Sequence, residues 1–103
     1  MLMLHVTTTC PDLDCARDLA RAALEARLAA CANIMPGVVS LFHWQGRIEE
    51  EAEVALAFKT LPGQRAELVA LIQRLHPYDL PVIACETVAT TEAAAAWLRA
   101  ETG

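Results

Sequence analysis

Thiol and imidazole groups are the side chains of this sequence with the chemistry to bind a metal ion. The cysteines are Cys10, Cys15, Cys31 and Cys85, and the histidines are His5, His43 and His76. A thiolate and a neutral imidazole together favour copper and other soft or borderline ions over magnesium or calcium. No two cysteines form a C-x-x-C pair, so the spacing does not indicate a zinc ribbon or a thioredoxin-like redox site.

Cys31 and His76 are the pair that we select as candidate metal ligands. Cys31 lies between the first predicted helix and the second predicted strand, and His76 directly precedes Pro77 at the end of the second predicted helix. Each has a structural alternative, because a free cysteine usually packs as a small apolar residue and a histidine at a helix C-terminus favours the helix dipole. The two residues make a site only if folding or trimerisation brings them together.

The other thiols and an acidic run are expected to be structural. The packing residues are predicted to be Cys10, Cys15 and Cys85. The segment Glu49 to Glu51 offers carboxylate oxygens to hard cations, but three consecutive acids are more often solvated in a turn. We therefore predict a turn there.

The composition predicts a single domain over residues 1–103. Hydrophobic residues make up 55% of the chain and charged residues 20%, which excludes a disordered protein and suggests an oligomer that buries the apolar excess. Eight Lys and Arg against 13 Asp and Glu give a net charge of −5 without a basic cluster, so neither nucleic acid nor a membrane surface is an expected partner. With no evident signal peptide, we expect a cytoplasmic protein with reduced thiols.

The predicted elements follow the order β-α-β-β-α-β with one more helix at the end. The predicted ranges are a strand at 2–8, a helix at 11–29, a hairpin with a bulge or kink at Pro36-Gly37 and a strand at 53–60, a helix opening at Pro62-Gly63 and ending at His76-Pro77, a strand at 82–89, and a helix capped by Thr90 or Thr91 that runs through Arg99. This order is typical of an α+β, ferredoxin-like sandwich, with both helices on one face of a four-stranded antiparallel sheet. The long apolar hairpin would leave hazardous edges unless subunits pair through it.

Three blocks of sequence carry a resemblance to a known family. They are RLAACANIMPGVVSLFHWQGRIEEEAEV at 27–54, the Lys59-Thr60 pair, and LHPYDLPVI at 75–83. In order and spacing they resemble the CutA family of divalent cation tolerance proteins. The resemblance implies a cytoplasmic homotrimer, paired through long hairpin strands and linked to copper and other divalent cations. It implies no established enzymatic reaction, and no metal is expected to be needed for folding.

The sequence departs from the family pattern after the last strand. Thr87 stands where a proline is expected, the loop is shortened to residues 89–91, and Ala94 stands where a tyrosine is common, whereas Trp97 is kept. A copper-linked cysteine of some relatives would fall near Thr8. The altered residues lie in the loop at 87–94. Because Thr8 is not a cysteine, metal ligation does not carry over from those relatives at this position.

Four polar-tipped residues in the family-like blocks are predicted to line a cleft between subunits: Trp44, Glu50, Lys59 and Tyr78. In the functional interpretation, Lys59 attracts an anion and Tyr78 offers a hydroxyl. In the structural one, Trp44 and Tyr78 anchor the interface, while Lys59 pairs with Glu50.

The sequence does not indicate an enzyme, because it has no nucleophile elbow, no phosphate-binding glycine loop and no H-E-x-x-H motif. By analogy, the family trimer resembles that of the PII signalling proteins. A sensor of a small anionic ligand at the subunit interface is therefore one alternative function, and a structural or assembly scaffold is another.

Overall fold

The computed structural model describes residues 1–103 and contains four strands and three α-helices. Their bounds are β1 Leu2–Cys10, α1 Leu13–Glu25, β2 Cys31–Trp44, β3 Arg47–Thr60, α2 Arg65–Leu75, β4 Ala84–Ala89 and α3 Glu92–Glu101, with a 3₁₀ turn at Pro62–Gln64 before α2. The sheet is antiparallel throughout, in the order β2-β3-β1-β4. The predicted α+β, ferredoxin-like fold with an extra terminal helix is confirmed.

The core lies between the sheet and the first two helices. Every second side chain of β1 from Leu4 to Cys10 is buried, as are Leu56 and Phe58 of β3. The alternation follows from the two-residue period of a strand, which sends the buried set to one face. Fifteen buried residues form one cluster, to which α1 contributes Leu19 and α2 contributes Ile72.

Helix α1 is shorter than predicted at both ends. Asp12 is its N-cap and accepts a hydrogen bond from the Cys15 amide at 2.8 Å, so the helix begins after it. At the other end, Arg27 has a φ of 58°, a left-handed conformation that cannot continue a helix. The carbonyl of Arg27 accepts a bond from the Gly103 amide at 2.9 Å, which ties the chain terminus to this corner.

The predicted turn at Glu49 to Glu51 is wrong. These residues lie within β3 and pair with Phe42, Leu41 and Ser40 of β2. The reversal is made instead by Gln45 and Gly46, whose φ angles are 50° and 77°. A two-residue hairpin loop with positive φ at both positions matches the right-handed twist of its strands, so the glycine outweighs the acidic run as a turn signal.

The hairpin is long and bulged. Both of its strands have 14 residues, so β3 begins at Arg47 rather than at 53. The pairing shifts register between Met35 and Val38, where Gly37 has a φ of 88°. The predicted bulge at Pro36-Gly37 is therefore confirmed, because proline donates no ladder hydrogen bond and glycine accepts the left-handed backbone.

The later boundaries shift by a few residues. Helix α2 ends at Leu75, and His76 is extended before Pro77, as the steric effect of proline predicts. Strand β4 begins at Ala84 rather than at 82. The Thr91 hydroxyl caps α3 by accepting from the Ala94 amide at 3.2 Å, and the helix continues past Arg99 to Glu101.

Candidate functional site

His76 lies buried between the end of α2 and the end of β1, with 7% of its surface exposed. Its Nε2 lies 2.8 Å from the carbonyl oxygen of Thr9, and its Nδ1 accepts the Tyr78 amide at 3.1 Å. Because a carbonyl only accepts, Nε2 carries the proton and the imidazole is neutral. Both ring nitrogens already have backbone partners, so a metal ion at either one must displace a hydrogen bond.

Tyr78 joins this histidine to a buried carboxylate. Its hydroxyl donates to Oε2 of Glu53 at 2.6 Å, and its ring lies 4.7 Å from the His76 ring, centroid to centroid. Burial and the bond to the carboxylate raise the pKa of the phenol, so the hydroxyl stays a donor at neutral pH. The loop after α2 is thereby fastened to both central strands.

Glu53 is the one acid of β3 that is buried, with 8% of its surface exposed. Burial acts to raise the pKa of its carboxyl, but hydrogen bonds from Tyr78, Ser40 and Thr9 outweigh burial and lower it below the ordinary value of 4.5. The carboxylate is therefore charged at neutral pH. By accepting the Tyr78 hydroxyl it helps to hold the loop after α2 against β3.

Removing the Tyr78 hydroxyl tests this arrangement. We expect Tyr78→Phe to lower the free energy of unfolding at pH 7 by about 2 kcal/mol, because a buried charge loses a donor. Since the pKa of Glu53 is lowered in the folded state, its stabilising contribution is present above the ordinary pKa and lost as pH falls. Urea unfolding should therefore show a smaller difference between wild type and variant at acid pH.

A double-mutant cycle supplies the control for this prediction. Once Glu53→Gln has removed the charge, Tyr78→Phe should cost less than it does in wild type. Equal costs in the two backgrounds would contradict the coupling between the hydroxyl and the carboxylate.

Cys31 lies at the other end of the sheet. It pairs across the hairpin with Lys59, is partly exposed, and its thiol donates to Oδ1 of Asn33 at 3.6 Å. Thr9, the partner of His76, pairs with Ala55 of the same strand. Four residues along β3 correspond to about 13 Å, so one protomer does not bring Cys31 and His76 together.

Three of the four predicted cleft residues are spread along the hairpin, and Tyr78 lies in the loop after α2. Trp44 pairs with Arg47 beside the turn, whereas Lys59 lies near the opposite end, about 40 Å away at the rise of a strand. Glu50 is exposed opposite Leu41, and no ion pair joins it to Lys59 within the protomer. A cleft containing all four would have to be assembled from several protomers, so the shared interface role stays a prediction.

Sequence reasoning missed Glu53 as a functional candidate. In the sequence it follows the consecutive acids Glu49 to Glu51 after a single alanine, so nothing marks it as buried. Its position opposite the bulge, where Val38 is its partner, is known only once the strands are paired. No group of three or more His, Cys, Asp or Glu side chains is arranged to hold a metal ion in the protomer.

The fold and its long bulged hairpin define a ferredoxin-like α+β protein with an added terminal helix. The sequence matches, over residues 4–101, the profile of the family described as CutA1 divalent ion tolerance protein. The chain therefore belongs to the CutA1 family, as its three sequence blocks predicted.

Individual relatives agree with this assignment. The divalent-cation tolerance protein CutA of Thermus thermophilus is 39% identical over 99 residues, which are 95% of this chain and 96% of the relative. The CutA1 crystal structure from Ehrlichia chaffeensis superposes with a TM-score of 0.94 at 28% identity, covering 98% of this chain and 95% of that one. The CutA of Archaeoglobus fulgidus, described as periplasmic, superposes with a TM-score of 0.92 at 31% identity, covering 96% and 97%.

The cytoplasmic location stays a prediction, because a relative described as periplasmic has the same fold. None of the helices has the length and apolar character needed to cross a membrane.

Proposed function

We propose that this protein is a non-catalytic homotrimer that acts in divalent cation tolerance in the cytoplasm, with copper as the ion bound. Its membership of a family named for divalent ion tolerance supports the general role. The trimer is the part that the geometry of this chain supports best, and the hairpin carries it.

The outer half of the hairpin is apolar and exposed. The exposed fractions are 66% for Val39, 63% for Leu41 and 70% for Ile48. Val39 and Leu41 alternate on β2, and Ile48 pairs with His43 on the same side of the hairpin, so these side chains share one face. Exposure of this apolar face to water does not stabilise a protomer. An obligate interface, which buries about 2,000 Å² or more, would remove the face from water.

Strand β2 forms one edge of the sheet along its whole length. β2 pairs with β3 on one side only, and the free amide and carbonyl groups on the outer edge of this 14-residue strand would template aggregation. Pairing between protomers satisfies these groups and covers the apolar hairpin at once.

Copper binding is proposed through the Cys31 thiolate of one protomer and the His76 imidazole of another. Thiolate sulfur and imidazole nitrogen suit copper, and the partly exposed thiol of Cys31 is accessible from the protomer surface. The ion must displace one backbone partner of His76, so we expect modest affinity.

A copper titration of wild type, Cys31→Ser and His76→Ala tests this proposal, with trimer integrity checked for each variant. We expect each substitution to weaken binding by at least about tenfold, and Cys85→Ser, a partly exposed thiol on β4, to have no effect. If Cys31→Ser and His76→Ala remain trimeric and bind copper as wild type does, the two residues are structural.

One observation favours the alternative of an anion sensor. Lys59 lies in the sheet without an ionic partner in its protomer. Its ammonium group is therefore available to an anionic ligand at a subunit interface. Screening anions and nucleotides against wild type and Lys59→Met distinguishes this function from copper binding, because the metal site does not use the ammonium group.

A further inference from the structure

Two thiols meet where β1 gives way to α1. Cys10 is the last residue of β1 and is fully buried, while Cys15 lies in the first turn of α1 and is half-buried against the core. The two thiols lie close enough for each to influence the pKa of the other. The cap that Asp12 makes to the Cys15 amide at 2.8 Å fixes the short connection between them.

The pair is reached from a surface groove. Cys15 lines this groove together with Asp12, Asp18 and Pro77, and the groove is open to solvent. Cys10 is fully buried and does not line the groove. An ion in the groove therefore has two carboxylates and the thiol of Cys15 at the surface, whereas the thiol of Cys10 lies inside the protein.

The surroundings of the pair are negative. Burial is the main cause that raises the pKa of Cys10 to about 12, contact with Cys15 is the next, and the carboxylates of Glu53 and Asp12 add to it. Burial also raises the pKa of Cys15, with Asp12 and Asp18 contributing. The carboxylates of Asp12, Asp18 and Glu53 also favour a cation beside the two thiols.

We propose that Cys10 and Cys15 form a two-coordinate site for a thiophilic cation that prefers linear coordination, such as Hg(II). Two sulfur ligands without a third donor suit such an ion, whereas a structural zinc site needs four ligands. On binding, two sulfur–metal bonds form, both thiol protons go to solvent, and nothing is oxidised or reduced. This site uses neither Cys31 nor His76 as a ligand.

Mapping the thiols that remain free after metal is added tests this site directly. One equivalent of Hg(II) is added to the protein, free thiols are alkylated, and the modified cysteines are mapped by mass spectrometry. We expect Cys10 and Cys15 to be protected together while Cys31 and Cys85 are alkylated, with about two protons released for each ion bound. Preferential protection of Cys31 or Cys85 would overturn the proposal.

Substitutions complete the test. Cys15→Ser, at a half-buried position, should leave only single-thiol binding and weaken retention of Hg(II) against a competing dithiol by at least tenfold. Cys10→Ala should do the same, and Cys85→Ser, which removes a partly exposed thiol on β4, serves as the matched control that retains the wild-type affinity. A tenfold excess of Zn(II) should not displace the mercury. Unchanged retention in Cys15→Ser, or displacement by zinc, would refute the two-thiol site.

Discussion

Replacing Leu41 with glutamate is expected to convert the proposed trimer into monomers. Leu41 lies on the apolar face of the hairpin and is 63% exposed in the protomer. Burying a leucine contributes about 2 kcal/mol, so three copies forfeit about 6 kcal/mol, before any cost of desolvating the new carboxylates. Assembly should therefore weaken by at least about four orders of magnitude.

Sedimentation and light scattering at micromolar concentration provide the measurement. Wild type should sediment as one species of about three times the chain mass of 11.2 kDa, and Leu41→Glu as the single chain. Gln73→Glu, which adds the same charge at an exposed position of α2, is the matched control and should remain trimeric. A well-folded wild-type monomer, or a Leu41→Glu variant that stays trimeric, would refute the proposed hairpin interface.

Replacing His76 with alanine is expected to destabilise the protein strongly even when no metal is present. The substitution removes the donor to the Thr9 carbonyl and the acceptor for the Tyr78 amide. Each buried backbone group left without a partner costs about 1–3 kcal/mol, and a loss of about 3 kcal/mol is expected in total. Denaturant unfolding in the presence of a chelator should show a lower midpoint with an unchanged slope.

The nearby exposed residue Gln73 again supplies the control. Gln73→Ala should change the free energy of unfolding by less than about 0.5 kcal/mol, because its side chain lies in solvent. If His76→Ala is as stable as this control, the two hydrogen bonds to the backbone do not stabilise the fold. A metal ion that displaces one of them would then lose no binding free energy by doing so.

The stability and copper measurements bear on each other at His76. The imidazole holds the loop after α2 against β1. A variant without it therefore loses these hydrogen bonds and the proposed metal ligand together, and the two effects cannot be separated. Cys31→Ser does not have this ambiguity, because the thiol of Cys31 is partly exposed and bonds only to the Asn33 side chain. Copper data on Cys31→Ser therefore decide between ligand and structural roles more cleanly.

Local sequence determined most of the elements. The helical spacing of Ala16, Leu19 and Ala23 fixed the buried face of α1, and Pro77 fixed the end of α2. Pro36-Gly37 marked the bulge. Each of these signals depends on residues that lie close together in the sequence. They can therefore be recognised before the fold is known. The acidic run in β3 was the exception, because the pairing of β3 with β2 overrode its preference for a turn.

Only the tertiary structure decided which chemical groups meet. Glu53 and Tyr78 are 25 positions apart in the chain, and His76 and Thr9 are 67 apart, yet both pairs are within hydrogen-bonding distance. Strand register and the path of the loop after α2 place these groups, and neither leaves a periodic signal in the sequence. The same register separates Cys31 from His76. Cys31 pairs with Lys59 and the partner of His76, Thr9, pairs with Ala55, and these two positions of β3 are about 13 Å apart.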